Sequence, residues 1–210
     1  WLWKGYPAKV QKGWSNNGML QEILIAGEDW REVELPVEIG SKDIFATADS
    51  SVVFASHMNV YKVSADGNCE QVGKLKSGEI LLGEHLTARG STLYKKGVKV
   101  ADGLSGLQAV QELDGGKYLA LCDDQAKCQN NVWVIRAGCR SLAIAPDYRF
   151  CVTAEPNTHH LISTVVDKSG NMLYSEAFYY LHDLSNGAQQ MAGNMAFDTK
   201  GNLYVATGMG

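Results

Sequence analysis

The side chains that most often carry catalysis or bind metals are scattered along this chain and form no recognisable motif. His159 and His160 are adjacent, and neighbouring residues of a strand face opposite sides, so the pair is not placed to share a metal ion. With no third ligand nearby, we predict that they lie in a loop or at a strand edge. No Ser-His-Asp or Cys-His combination has a recognisable local context, and no glycine-rich phosphate loop leads from a strand into a helix.

The cysteines give no metal signature either. The chain contains Cys69, Cys122, Cys128, Cys139 and Cys151. Their number is odd and no short paired spacing occurs, which argues against a zinc site. Cys122 and Cys128 flank a polar loop and could close a small disulfide in an oxidising compartment, whereas free thiols are the default interpretation. The acidic turn Asp123-Asp124 in the same loop is either a Ca²⁺ site or simply a solvated turn.

The composition is that of an ordinary globular protein. The 210 residues are 45% hydrophobic and 20% charged, which suits one domain or a large part of one. The net charge of −4 and the scatter of Lys and Arg argue against nucleic acid as a partner. No apolar run approaches the ~20 residues that cross a bilayer, so no membrane partner is expected. Because the chain starts at Trp1, the lack of a visible signal peptide says nothing about export. The compartment stays open, with an exported location favoured over a cytoplasmic one.

A repeated hairpin is the strongest pattern in the sequence. In Met195–Met209 an apolar strand start is followed by a polar turn, Asp198–Asn202, and by an alternating strand. The same pattern occurs at Leu142–Ala154, and looser copies occupy Phe45–Ser56 and Val110–Leu121. Hairpins repeated at intervals of tens of residues predict a β-propeller, and propellers place their functional sites at a central axis.

The repeats divide the chain into two parts. Residues 1–20 are aromatic, rich in Gly and Asn, and aperiodic, so we interpret them as a linker or the tail of a preceding module, with a possible neighbouring domain before Trp1. Trp1, Trp3 and Trp14 either stack on sugar rings or pack the linker against that neighbour. Residues 21–210 are predicted to form the propeller, without helices and with five units. The last unit stops after two strands, and because a blade has four, the domain is predicted to be incomplete at its C-terminal end.

Three segments resemble a known family. They are Gly193-Asn-Met-Ala-Phe-Asp-Thr-Lys-Gly-Asn-Leu-Tyr-Val-Ala-Thr207, Val165-Val-Asp-Lys-Ser-Gly-Asn-Met-Leu-Tyr-Ser-Glu-Ala-Phe-Tyr-Tyr-Leu-His182 and Leu24-Ile-Ala-Gly-Glu-Asp-Trp-Arg-Glu-Val33. These segments are similar to hairpins and a lead-in of the senescence marker protein-30/gluconolactonase family, six-bladed β-propellers that hydrolyse sugar and related lactones. The resemblance implies an all-β fold of the six-bladed propeller type, with about five blades visible in this chain and the last one incomplete.

The resemblance also implies where a metal would bind. In the family a divalent metal on the axis polarises the lactone carbonyl, and its oxygen ligands are a Glu before the first hairpin, an Asn in a Pro-Asn-Gly turn and an Asp in an Asp-Gly-Met turn. The corresponding positions here are Ser41-Lys-Asp-Ile44, Cys139-Arg-Ser141 and Gly193-Asn-Met195. Asp43 is one residue out of register with the family's Glu, and Arg140 places a cation where the family has its Asn. Gly193 stands where the family has its Asp, and Asn194 is the next residue. We therefore expect a divergent member with a degenerate metal site.

The same positions give the candidate binding residues. If Arg140 faces the axis, its guanidinium could bind a carboxylate or phosphate, and Lys42 could complete this anion site. Alternatively, Arg140 forms a salt bridge with Glu155 or Asp43 and fills the channel. His182 could line the mouth of the channel. The predicted axial ligand-binding residues are thus Arg140, Asp43, Asn194, Lys42 and His182.

These expectations lead to one preferred function and two alternatives. The preferred function is a gluconolactonase-like propeller, non-catalytic or divergent, that binds a small anionic or sugar-derived ligand at the axis or serves as an accessory module. It needs no cofactor. The first alternative is an active metal-dependent lactone or ester hydrolase, with Ca²⁺ or Zn²⁺ held by Asp43, Asn194 and Glu155. The second alternative is a structural interaction platform. These three functions differ in whether the protein is an enzyme, and the sequence leaves that open.

Overall fold

The computed structural model describes residues 32–40, 44–113, 115–123, 132–135, 139, 141–155, 158–167, 171–181 and 192–207. The chain divides into two compact units, Trp1–Pro36 and Val37–Gly210, and the strands described below all belong to the second. The predicted boundary after residue 20 and the tryptophans Trp1, Trp3 and Trp14 lie outside the described residues, so the predictions made on them stay predictions.

The described part of the second unit contains seventeen β-strands and no helix, which confirms the all-β prediction. The strands are β1 (Phe45–Ala46), β2 (Val52–Ser56), β3 (Asn59–Val63), β4 (Cys69–Lys74), β5 (Glu79–Leu81), β6 (Leu86–Arg89), β7 (Thr92–Lys95), β8 (Val98–Ala101), β9 (Ala109–Leu113), β10 (Lys117–Leu121), β11 (Val132–Ile135), β12 (Leu142–Ile144), β13 (Phe150–Ala154), β14 (His160–Val166), β15 (Met172–Tyr180), β16 (Met195–Phe197) and β17 (Leu203–Val205). Among the residues described here, no helix is long and apolar enough to cross a membrane.

Strands that are consecutive in sequence form five sheets within the described residues. Sheet 1 contains β1 to β4, sheet 2 contains β5 to β8, sheet 3 contains β9 to β11, sheet 4 contains β12 to β15, and sheet 5 contains β16 and β17. The predicted hairpins pair β1 with β2, β9 with β10, β12 with β13 and β16 with β17, all antiparallel, and are confirmed. Sheet 3 departs from the up-and-down pattern, because β11 runs parallel to β10.

Three of these hairpins have the same type of turn. In the β16–β17 turn the Gly201 N–H donates to the Asp198 carbonyl at 3.1 Å, and Gly201 has a φ of 86°. Glycine adopts this left-handed conformation without a steric cost. Ser50 in sheet 1 and Tyr148 in sheet 4 hold the same turn position, with φ of 62° and 56°. The Ser50 N–H donates to the Thr47 carbonyl at 3.2 Å, and the Tyr148 N–H donates to the Ala145 carbonyl at 2.8 Å. Residues of these three hairpins can therefore be matched by counting back from the turn.

Hydrophobic clusters fill the spaces between consecutive sheets. In β10, Leu119 and Leu121 point into the cluster shared with sheet 4, whereas Tyr118 and Ala120 point into the cluster shared with sheet 2. The alternation follows from the two-residue period of a strand. Similar clusters lie between sheets 1 and 2 and between sheets 4 and 5. In sheets 3 and 4 the last four residues of the second strand, β10 or β13, are all buried, as expected for sheets that pack face to face like propeller blades.

The order of strands in each sheet runs from the inside to the outside. β15, the last strand of sheet 4, is exposed along most of its length, and 78% of Tyr174 is accessible to solvent. By contrast, residues at or beside the first strands of all five sheets line a single cavity. This arrangement confirms the β-propeller fold, and the cavity lies between the first strands, where the sequence predicts the axial site.

Acid is expected to lower the melting temperature once the pH falls below about 4. Hydrogen bonds from Asn202 to Asp198 and from Lys99 to Asp102 hold the pKa of both carboxyl groups below the ordinary value. A group with a lowered folded pKa contributes stability above its unfolded pKa and loses it as the pH falls through the folded pKa. The melting temperature should therefore stay nearly constant as the pH is lowered from 7 to about 4 and then decrease down to pH 2. The decrease should be smaller for Asp198→Asn. Equal pH dependence in the variant would contradict this assignment.

Candidate functional site

A cavity of about 440 Å³ lies where the first strands of the five sheets meet. Its volume falls within the range typical of small-molecule sites, roughly 300–1,000 Å³. Apolar side chains of the first strands form much of the wall. The polar side chains along the wall are Glu84, His85, Gln108, Gln111, Glu112, Ser141 and Asn194. Since every sheet contributes to the wall, the site depends on the packing of the whole propeller domain.

Ser141 is the most informative residue of the cavity wall. Only 4% of this residue is exposed, and its hydroxyl oxygen has no hydrogen-bond partner among the described residues. The Ser141 backbone carbonyl accepts a hydrogen bond from the Ala154 N–H at 3.3 Å. A buried hydroxyl without a partner costs about 1–3 kcal/mol. Ser141 lines the cavity, but its hydroxyl oxygen is closed to solvent, so a polar ligand would bond to it only after the serine side chain changes rotamer.

Asn194 occupies the same position of its repeat as Ser141. Each of the two lies four residues before the first residue of its hairpin turn. The backbone carbonyl of Asn194 accepts a hydrogen bond from the Ala206 N–H at 3.0 Å, just after β17, as that of Ser141 does from Ala154 in β13. Asn194 also lines the cavity. Counting back from the turn of sheet 1 in the same way reaches Asp43, which lies outside the described residues. The cavity-lining position is thus one residue after the position held by Arg140.

The other predicted site residues fall into two groups. Arg140, Asp43, Lys42 and His182 lie outside the described residues, as does the Cys128 half of the suggested disulfide. Glu155 is described: it follows β13, its N–H donates to the His160 carbonyl at 3.3 Å, and it is not among the residues that line the cavity. The structure therefore does not gather Glu155 and Asn194 at the cavity. No group of three or more His, Cys, Asp or Glu placed to hold a metal occurs among the residues described here, of which Asp43 is not one.

His159, His160, Cys122 and Cys151 are not among the residues that line the cavity. His160 is the first residue of β14, which confirms the predicted strand edge, and its ring lies 5.0 Å from that of Tyr180. His159 also contacts Tyr180, at 5.5 Å between ring centroids. Cys122 is a buried free thiol, in agreement with the default interpretation, and burial raises its pKa to about 11. Burial likewise raises the pKa of Cys151 to about 12, so neither thiol is activated as a nucleophile.

Charged groups on the cavity wall were not found from the sequence. The Lys95 ammonium pairs with the Glu112 carboxylate and so connects β7 with the first strand of sheet 3. This hydrogen bond raises the pKa of Lys95. Glu84 and His85 lie in the loop between β5 and β6, with the Glu84 Oε1 and His85 Nε2 atoms 3.9 Å apart. The sequence signal that could have identified them is position, because Glu112 lies in the first strand of a repeat and Glu84 follows such a strand.

Comparisons with known proteins identify the fold. No family model matches the sequence, and no curated protein matches it. Among solved structures, the chain is similar to a gluconolactonase from Xanthomonas campestris, with a TM-score of 0.55, 9% identity, and coverage of 85% of this chain and 83% of that one. It is also similar to a putative gluconolactonase, with a TM-score of 0.56, 10% identity, and coverage of 85% of this chain and 74% of that one. A third similar structure is that of the calcium-binding protein regucalcin from Agrobacterium tumefaciens, with a TM-score of 0.51, 13% identity, and coverage of 82% of this chain and 68% of that one. At these identities the likeness shows a shared β-propeller fold, and the six-bladed count stays a prediction.

Proposed function

We propose that this propeller binds a small sugar-derived ligand in its central cavity, as a gluconolactonase-like protein with a non-catalytic or divergent site. The observation that carries the proposal is the buried, unpartnered hydroxyl of Ser141 on the wall of a 440 Å³ cavity. A change of rotamer would turn the serine hydroxyl toward the cavity, where a ligand hydroxyl would satisfy it and remove the cost of leaving it unbonded.

The remaining wall chemistry supports a polyhydroxylated ligand. Gln108, Gln111 and Asn194 line the cavity, and each amide both donates and accepts hydrogen bonds, as sugar hydroxyls do. Apolar wall residues such as Val110 and Met195 can pack against the C–H groups of a sugar ring. Two proteins with the same fold are described as gluconolactonases, the second of them as putative, which adds support for a ligand of the sugar lactone class.

A second candidate function is metal-dependent lactone hydrolysis. Ser141 and Asn194 hold one repeat position on the cavity wall, and Asp43 holds the same position of the first repeat by sequence. Oxygen donors from three repeats are the kind of ligand set that Ca²⁺ prefers, and a bound divalent metal would polarise a lactone carbonyl. The described members of this set are neutral, so Asp43 would have to supply the carboxylate. One of the similar propellers is named as a calcium-binding protein.

Melting curves with a sugar panel test the proposal. We expect D-glucose, D-gluconate or D-glucono-1,5-lactone to raise the melting temperature of the purified protein saturably in the presence of a chelator. A ligand at one hundred times its Kd adds about 2.7 kcal/mol to the free energy of unfolding. Trimethylamine N-oxide serves as the control, because it stabilises proteins by exclusion and not by binding to a site.

The same experiment separates the alternatives. A melting shift caused by Ca²⁺ or Zn²⁺, together with lactone hydrolysis above the spontaneous rate, would favour the hydrolase over the non-catalytic binder. No shift with any sugar or metal would contradict ligand binding at the cavity and favour the structural interaction platform.

A further inference from the structure

Asp123 is connected to the cavity wall through Gln108. Gln108 directly precedes β9 and lines the cavity, and its Nε2 donates a hydrogen bond to the Asp123 Oδ1 at 2.8 Å. Because a carboxylate only accepts hydrogen bonds, this contact fixes which end of the Gln108 amide faces Asp123. The amide nitrogen faces the carboxylate, and the Gln108 carbonyl oxygen is left for another partner. Among the residues that the structure describes, none donates a hydrogen bond to that oxygen.

The Asp123 carboxylate is held in place by the backbone of the segment that leads into β9. The Asp123 N–H donates to the Ser105 carbonyl at 3.1 Å. Gly106 has a φ of 64°, and a Cβ at this position would collide with the Asp123 carboxylate. The carboxylate can therefore lie directly against the backbone only because residue 106 is glycine. These contacts keep the carboxylate beside the same segment that carries Gln108.

The hydrogen bond also changes the chemistry of the Gln108 amide. An amide that donates to an ionised carboxylate forms a charge-assisted bond, which is stronger than a neutral one. Donation through the N–H group polarises the amide and makes its carbonyl oxygen a better acceptor. Both side chains are exposed, so water competes for the bond and its effect is moderate. Asp123 thus orients the acceptor of Gln108 and strengthens it.

We propose that Asp123 is a positioning residue of the cavity site, which turns the Gln108 carbonyl oxygen toward a hydroxyl group of the bound sugar-derived ligand. The inference rests on the proposed function and adds to it a residue that is not among those lining the cavity. It gives Asp123 a role different from the two that the sequence suggested, a Ca²⁺ site and a solvated turn. Because a carbonyl oxygen only accepts hydrogen bonds, this point of the wall selects a hydroxyl group of the ligand over an ether or carbonyl oxygen.

Calorimetric titrations test the inference with whichever of D-glucose and D-gluconate binds more tightly. Asp123→Ala should weaken binding about fivefold, because the Gln108 amide loses the partner that orients it. Asp123→Asn should weaken binding by about twofold or less, because an amide oxygen can still accept the hydrogen bond from Gln108. A direct effect of the Asp123 charge on the ligand would instead be lost equally in both variants.

A double-mutant cycle shows whether Asp123 acts through Gln108. Gln108→Ala should weaken binding about tenfold, and adding Asp123→Ala should cause no further loss. Asp66 is the matched control, because its carboxylate accepts a hydrogen bond from the Asn68 side-chain amide at 2.6 Å and it is not among the residues that line the cavity. Asp66→Ala should leave the sugar affinity unchanged. Melting curves check that every variant is folded, and Asp123→Ser takes the place of Asp123→Ala if the alanine variant is not.

The outcomes distinguish the inference from the function on which it rests. If a sugar binds and Asp123→Ala has no effect, or weakens binding equally with and without the Gln108 side chain, the positioning role is wrong and the cavity function stands. The same holds if Asp123→Asn loses as much affinity as Asp123→Ala. If neither sugar binds to the unsubstituted protein, the proposed function and the inference are both overturned.

Discussion

Replacing Leu119 with alanine is expected to lower the free energy of unfolding by about 3 kcal/mol. Leu119 lies in the middle of β10, has 0% exposure, and packs into the cluster between sheets 3 and 4. The substitution removes buried methyl groups and leaves a hole that the two sheets can close only in part. Urea unfolding followed by circular dichroism measures the change.

A matched leucine on the outer surface provides the control. Leu173, on β15, is 53% exposed, and Leu173→Ala should change the free energy of unfolding by no more than about 0.5 kcal/mol. If Leu119→Ala cost no more than Leu173→Ala, the face-to-face packing of consecutive sheets would be contradicted.

Replacing Ser141 with alanine is expected to stabilise the ligand-free protein and to weaken sugar binding about tenfold. The substitution removes a buried hydroxyl that has no partner, which should raise the free energy of unfolding by about 1 kcal/mol. The same change deletes a hydrogen bond to the ligand, and a loss of about 1.4 kcal/mol corresponds to the tenfold weakening. Urea unfolding and calorimetric titration measure the two effects on one preparation.

The opposite signs of the two effects distinguish a binding residue from a structural one. Ser56 is the control, because it is similarly buried and its hydroxyl lies 3.5 Å from His57 Nδ1. Ser56→Ala should not stabilise the protein and should leave binding unchanged. If Ser141→Ala instead destabilised the protein and left the sugar affinity intact, the hydroxyl would have a structural role and the binding site would be misassigned.

The repeated hairpins could be predicted from the sequence because their signals are local. The polar turn of Asp198–Asn202, with Gly201 at the left-handed position, specifies its own geometry, and the flanking strands alternate or are continuously apolar. The parallel pairing of β11 with β10 could not be predicted in this way. The direction of a strand depends on the route of the chain between the two strands and not on the residues of either.

The location of the cavity could be predicted from the sequence, but only part of its lining could. The propeller fold implied an axial cavity, and Asn194 was identified and lines it. Ser141 was missed because the family pattern selected Arg140, one residue earlier, and a shift of one residue in a strand reverses the face of the side chain. Glu84 and Glu112 were missed because their place on the cavity wall depends on how the sheets assemble.

A crystal structure of the protein with the sugar that most raises its melting temperature tests the central claim most directly. We expect the sugar in the cavity between the first strands, with one hydroxyl within about 3 Å of the Ser141 hydroxyl oxygen. A sugar bound elsewhere on the propeller, with only water beside Ser141, would contradict the proposed function.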